Sequence, residues 1–160
     1  LYFQGHMQLS RKGLDAIKFF EGLELEAYED SAGIPTIGYG TIRIDGKPVK
    51  MGMKITAEQA EQYLLADVEK FVAAVNKAIK VPTTQNEFDA LVSETYNIGI
   101  TAMQDSTFIK RHNAGNKVGC AEAMQWWNKV TVKGKKVTSN GLKNRRRMEA
   151  DIYLDSVYPK

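Results

Sequence analysis

The 160-residue sequence predicts an α+β fold: a small antiparallel sheet lobe joined by a long helix to a larger helical lobe. Three observations carry this. Apolar residues recur at helical spacing before residue 22 and again after residue 56. Between them, from about 31 to 51, Gly33, Pro35, Gly38 and Gly40 punctuate short runs rich in Ile and Tyr. Two capping boxes, Thr56-Ala-Glu-Gln59 and Thr84-Gln-Asn-Glu87, mark where later helices open.

Residues 1–7, LYFQGHM, read as the remnant of a cleavable expression tag and are set apart from the fold, leaving 8–160 as one domain. A first helix over 10–21 carries Leu14, Ile17 and Phe20, with Ala16 and Phe19 beside them, and Gly22 supplies its left-handed cap. The sheet lobe covers about 23–55, where Ile42-Arg-Ile44 alternates up to Asp45-Gly46, a type I′ hairpin turn. The long helix spans roughly 57–80 and stops at Pro82. The helical lobe, about 81–160 plus helix 10–21, opens with a helix stopped by Gly99. Shorter helices follow near 106–113 and 117–128, then a basic loop at 129–141 and a last helix over about 142–156.

Composition removes several chemistries. Cys120 is the only cysteine, so no intrachain disulfide and no cysteine-rich metal site can form. His112 is the only histidine outside the leading residues, too few for a His-based zinc hydrolase. A Cys120–His112 nucleophilic pair lacks an orienting partner, and Cys120 reads as a buried thiol. No phosphate-binding glycine loop and no run of eighteen apolar residues occurs. Catalysis must therefore rest on carboxylates, with no cofactor expected. A net charge of +3 suits an anionic polymer or surface without naming one.

The carboxylates that matter lie in FEGLELEAYEDSAGIPTIGYG, residues 20–40. Glu21 closes the first helix, Asp30 follows in a polar loop, and Thr36 begins a strand. Two carboxyl groups held apart can divide proton transfer between a donor and an acceptor, as glycosidic hydrolysis requires. Phe19 and Phe20 beside Glu21 would desolvate it and favour its protonated form, suited to a general acid. Asp30, between Glu29 and Ser31, should stay ionised and activate a water, which the Thr36 hydroxyl can position.

The spacing Glu21-x8-Asp30-x5-Thr36, within E-G-L-x-L-x-x-Y-x-D and T-I-G-Y-G, resembles the phage-type lysozymes (glycoside hydrolase family 24). The resemblance extends through Gly52-Met-x-Ile-Thr56, Asn86-x-Phe-Asp-Ala-Leu-Val, Tyr96-Asn97-Ile-Gly99, Ser106-Thr107 and Gly141-Leu-x-x-Arg145-Arg146-x-x-Glu149, covering residues 10–158. It implies a lysozyme-like fold and an endolysin that cuts the β-1,4 bond from N-acetylmuramic acid to N-acetylglucosamine in peptidoglycan. By the same resemblance Glu21 is the proton donor, Asp30 the second carboxylate and Thr36 the water-positioning hydroxyl. Arg145 matches an arginine that approaches the donor, a cation opposing the effect of desolvation on Glu21. Tyr39, Ile42, Tyr96, Asn97 and Ser106 match positions lining the saccharide cleft, although simple packing serves Tyr96 equally well. Thr41 stands where relatives often carry His, and altered packing without loss of activity is expected.

Lys133, Lys135, Lys136, Lys143, Arg145, Arg146 and Arg147 fall in 133–147 with no acidic residue. They read as a solvated loop and helix start, or as an attraction to anionic wall polymers or lipid headgroups. Without base-stacking aromatics they do not indicate nucleic acid. Trp126 and Trp127, beside Ala123 and Met124, read as core. A lytic transglycosylase and a silent wall-binding module are the alternatives to a hydrolase, but neither uses Asp30 and Thr36. The resemblance implies synthesis in the host cytoplasm and action on the wall after release or export; with no coiled-coil or exposed-edge signal, a monomer is expected.

Overall fold

Apolar spacing and end signals account for most of the helices seen in a computed structural model, which describes residues 6–160. Helix α1 (Arg11–Glu21) ends where Gly22 takes φ 73° and its N–H bonds Lys18 O at 2.9 Å. Helix α2 (Ala57–Ala78) opens on the predicted box: Gln59 N–H donates to Thr56 Oγ1, and Thr56 N–H to Gln59 Oε1. Helix α3 (Gln85–Ile98) opens on the second box at Thr84 and stops at Gly99. Helices α4 (Ile100–Gln104), α5 (Thr107–Asn113) and α6 (Lys117–Met124) are short, and α7 (Asn140–Asp155) is capped by Ser139.

The described residues form two compact units. One is Ile17–Lys70. There β1 (Glu24–Glu29) pairs antiparallel with β2 (Pro35–Gly38), Tyr28 opposite Thr36, with an irregularity between Glu24 and Tyr28. Strands β3 (Arg43–Ile44) and β4 (Lys47–Pro48) flank the expected I′ turn, in which Asp45 and Gly46 have φ 51° and 78°. The strands form separate pairs, with isolated bridges at Ile37–Thr41 and Glu26–Lys54. Ala27, Ile37 and Val49 make a small core, with Ile44, Met53 and Ile55 packed against it.

The other unit comprises 71–160 with the chain up to Ala16. Phe88, Leu91, Val92, Met103, Phe108, Met124, Ile152 and Tyr153 fill its interior. His112 is buried there, Nδ1 2.6 Å from Tyr153 Oη and Nε2 2.8 Å from Thr83 Oγ1. Cys120 is buried beside them, and burial pushes its thiol up to about 11, which makes it inert. Asp89, also buried, accepts from Ser10, Gln85 and Tyr158.

Four expectations change. Residues 1–5 of the proposed tag remnant lie outside the described residues, but Met7 belongs to the fold. It is buried, its N–H donates to Asn76 Oδ1 and its carbonyl accepts from Asn76 Nδ2, both at 2.9 Å. Phe19 is 51% exposed, because the stripe of α1 that enters the core runs through Leu14 and Ile17. The 129–141 loop is instead a hairpin, β5 (Lys129–Val132) and β6 (Lys135–Thr138), closed by Lys133 and Gly134 at φ 50° and 77°. Helix α6 ends at Met124, so Trp126 and Trp127 fall beyond it and stand 52% and 36% exposed, the Arg111 guanidinium 5.0 Å from the Trp126 ring centre.

Candidate active site

Glu21 holds the last position of α1, half-buried, because Gly22 turns the chain immediately after it. Asp30 sits in a tight loop that its own side chain builds. Its Oδ1 accepts from Ala32 N–H at 2.8 Å and Ile34 N–H at 2.9 Å, while Asp30 N–H donates to Ile34 O at 3.0 Å. That fixes the carboxylate and leaves Oδ2 without a hydrogen-bond partner among the described residues. Thr36 is buried on β2 and donates its hydroxyl hydrogen to Ile34 O at 2.8 Å. Its lone pairs therefore remain as acceptors.

Tyr28 ties this group together. Burial raises its phenol above the ordinary tyrosine range, and the negative charges of Glu21, Glu24 and Asp30 raise it further. Both predicted carboxylates thus lie within electrostatic reach of one hydroxyl, on a strand residue paired with Thr36. Nearby, the Lys18 ammonium is 5.5 Å from the Tyr39 ring centre, Lys18 also pairs with Glu61, and Ile42 is exposed. Thr41 is buried and donates to Asp67 Oδ2 at 2.6 Å, partly offsetting the burial that raises the Asp67 carboxyl.

The remaining predicted residues lie in the helical unit. Asn97 and Ser106 line one groove of about 630 Å³, whose walls include Trp126, Trp127, Lys136 and Leu142. The Ser106 hydroxyl is committed to the fold: it caps α5 by accepting from Ile109 N–H and donates to Met103 O. Tyr96 is half-buried and packs edge-on against Phe71 at 5.1 Å.

Arg145 is buried, with Nε 3.1 Å from Glu149 Oε2 and Nη2 3.1 Å from Ser93 O. Arg146 is fully buried, with Nε 3.0 Å from Glu149 Oε1, Nη1 3.6 Å from Glu94 Oε2 and Nη2 2.6 Å from Asn97 Oδ1. Burial pushes the Glu94 carboxyl well above the usual range, and the Glu149 charge adds to this while Arg146 and Arg145 oppose it. Two charges of the basic stretch are therefore interior and matched by carboxylates, leaving its lysines and Arg147 at the surface.

Residues 18–149 match the Phage lysozyme family. The chain belongs to that family. It is 42% identical over 147 residues to an endolysin of Acyrthosiphon pisum secondary endosymbiont phage 1, covering 92% of this chain and 98% of that one. Among solved structures, the muramidase domain of SpmX from Asticaccaulis excentricus is similar at 37% identity. Its TM-score is 0.85, with 93% of this chain and 99% of that one covered. A point mutant of P22 lysozyme is similar at 37% identity and a TM-score of 0.80, covering 94% of this chain and 100% of that one. The lysozyme-like α+β expectation therefore stands.

Neither the role of Tyr28 nor the burial of Arg146 and Arg145 among Glu94 and Glu149 of this phage lysozyme was expected from sequence, which places only Arg145, beside the donor. The signal for Tyr28 was its place two residues before Asp30. For the network it was Ser93, Glu94 and Asn97 recurring at three and four residues on one helix, with Arg145, Arg146 and Glu149 on another.

Proposed function

We propose that this phage lysozyme is an endolysin that hydrolyses the β-1,4 bond between N-acetylmuramic acid and N-acetylglucosamine in peptidoglycan. The observation that carries it is the division of labour at Asp30 and Thr36. One Asp30 oxygen is fixed by the loop while the other is open, and the Thr36 hydrogen is engaged, so its oxygen can only accept. A water donating one hydrogen to Asp30 Oδ2 and the other to Thr36 Oγ1 keeps a lone pair for the anomeric carbon. Glu21 gives its proton to the leaving sugar oxygen as the glycosidic bond breaks, and Asp30 takes the proton of the attacking water. Attack from the face opposite the leaving group inverts the anomeric centre.

Arg145, Tyr39, Ile42, Tyr96, Asn97 and Ser106 serve substrate binding in this reading, and the exposed lysines of 133–147 supply attraction to anionic wall or membrane surfaces. The protein acts on the host wall after synthesis in the cytoplasm, as a monomer. Mass analysis of fragments released from purified walls tests the central claim. Hydrolysis yields reducing-end muramic acid; fragments ending in the anhydro form would identify a lytic transglycosylase, and no fragments a binding module.

A further inference from the structure

We propose that Asn97 is held as a hydrogen-bond donor to a carbonyl oxygen of the substrate, with the buried Arg146 as the positioning residue that keeps it so. This deepens the muramidase reading and rests on it.

An asparagine amide can present either end, and its oxygen and nitrogen are nearly isosteric, so a surface Asn ordinarily adapts to donors and acceptors alike. Asn97 is exposed on the groove wall but lacks that freedom. Its Oδ1 lies 2.6 Å from Arg146 Nη2, and a guanidinium can only donate. The amide oxygen must face Arg146, so the NH2 group is directed elsewhere. It has no hydrogen-bond partner among the described residues. Arg146 is itself restrained. It is fully buried, with Nε 3.0 Å from Glu149 Oε1 and Nη1 3.6 Å from Glu94 Oε2. Swinging the guanidinium away from these two buried carboxylates would leave desolvated charge without a counterion.

The groove therefore carries a pre-set donor on a wall shared with the partly exposed Trp126 and Trp127, whose rings suit the apolar face of a sugar. A peptidoglycan strand offers amide carbonyls from two sources: the acetamido groups of its sugars and the peptide bonds of its stems. Ser106 does not compete as a donor, since its hydroxyl hydrogen goes to Met103 O. A site built to donate discriminates against a substrate lacking the acceptor, because its own donor is then left unmatched. Replacing an acetamido group by an ammonium removes the carbonyl and adds donors, so the groove as built disfavours N-deacetylated glycan.

The test measures kcat/KM for the wild type, Asn97→Asp, Arg146→Gln and Arg146→Lys on three substrates. These are stem-free N-acetylated strands, the same strands after chemical N-deacetylation, and stem-bearing N-acetylated strands. Asn97→Asp keeps one oxygen on Arg146 Nη2 and turns an acceptor into the groove, so the Arg146 contact is retained while the donor is lost. The preference for acetylated over deacetylated strands should fall at least about fivefold if the carbonyl is an acetamido group. If it belongs to a stem peptide, the preference for stem-bearing over stem-free strands falls by that amount instead. Arg146→Gln lets the Asn97 amide turn over and should move the same preference, whereas Arg146→Lys, which can only donate, should restore it. General damage to the fold lowers activity on all substrates together and leaves both preferences unchanged. If Arg146→Gln fails to fold, Asn97→Asp decides alone. Neither preference moving in folded Asn97→Asp overturns the proposal. A wild type that releases no reducing-end muramic acid from any strand overturns the muramidase reading, and this proposal with it.

Discussion

Ser93 Oγ donates to Glu149 Oε2 at 2.5 Å, across the interior between α3 and α7. That same carboxylate receives Arg145 on one oxygen and Arg146 on the other. Removing it strands two buried guanidinium groups. We expect Glu149→Ala to cost about 3–5 kcal/mol of folding stability, the usual cost of leaving a buried charge without its partner. Urea denaturation measures this directly, and a loss under about 1 kcal/mol would contradict it.

Glu21→Gln should abolish wall lysis while leaving the denaturation midpoint near wild type. The amide keeps the shape of the side chain at the end of α1 but has no proton to give a leaving oxygen. A general acid contributes about 10²–10⁴-fold. Lysis by the pure, folded variant at near wild-type rate would remove Glu21 from the mechanism.

Thr36 can be separated from its methyl group. Thr36→Val keeps the volume and loses the acceptor, and its rate should fall nearly as far as on loss of Asp30. Thr36→Ser keeps the oxygen and should retain most activity. A turbidity assay on bacterial walls compares them, and equal rates for Val and Ser at this position would show that the hydroxyl has no part in the reaction.

The stereochemistry of the product follows from the water site. A water held between Asp30 and the sugar implies roughly 6.5–9.5 Å between carboxyl groups and inversion, so the first product carries the α-anomer. NMR of the fresh hydrolysate reads this before mutarotation. An initial β-anomer would instead make Asp30 a nucleophile, without disturbing the muramidase assignment.

Acid should loosen the helical unit through His112. Burial, with a smaller contribution from Lys117 and opposed by Glu87, lowers it from 6.5 to about 4. As pH falls below 6.5 the unfolded chain takes up a proton that the folded one refuses until about 4, so stability declines over that window. The full loss is about 3 kcal/mol. His112→Gln should flatten this part of the stability–pH curve; an unchanged slope between pH 6.5 and 4 would exclude His112 as its source.

Local signals were legible where they involve residues near in sequence. Both capping boxes, the Gly22 cap and the Asp45-Gly46 turn could be read because each rests on a few adjacent side chains. The Glu21–Asp30–Thr36 spacing was legible for the same reason. Charge along 133–147 obscured the second hairpin, although Lys-Val-Thr-Val and Lys-Lys-Val-Thr alternate around Lys133-Gly134 as a strand pair should. Lysine at φ 50° in the first turn position is not a residue that announces an I′ turn. Burial of Arg145 and Arg146 was hidden because their partners, Ser93, Glu94 and Asn97, lie about fifty residues away. Trp126 and Trp127 were misread because composition alone does not tell whether a helix ends before an apolar pair or after it.

Asp89 lies on α3, yet its carboxylate holds the backbone of Ser10 at 3.1 Å and the hydroxyl of Tyr158 at 2.6 Å. The first helix and the last residues thus converge on one side chain in the middle of the chain. The chain entering Ser10 comes from the buried Met7, which Asn76 holds, so the leading residues are fastened at two points and the closing ones at Asp89. A peptide linking Tyr158 back to the residues before Met7 could close the polypeptide into a ring. A circularly permuted gene, opened at an exposed turn such as Lys133-Gly134, would keep every contact of this unit except that turn.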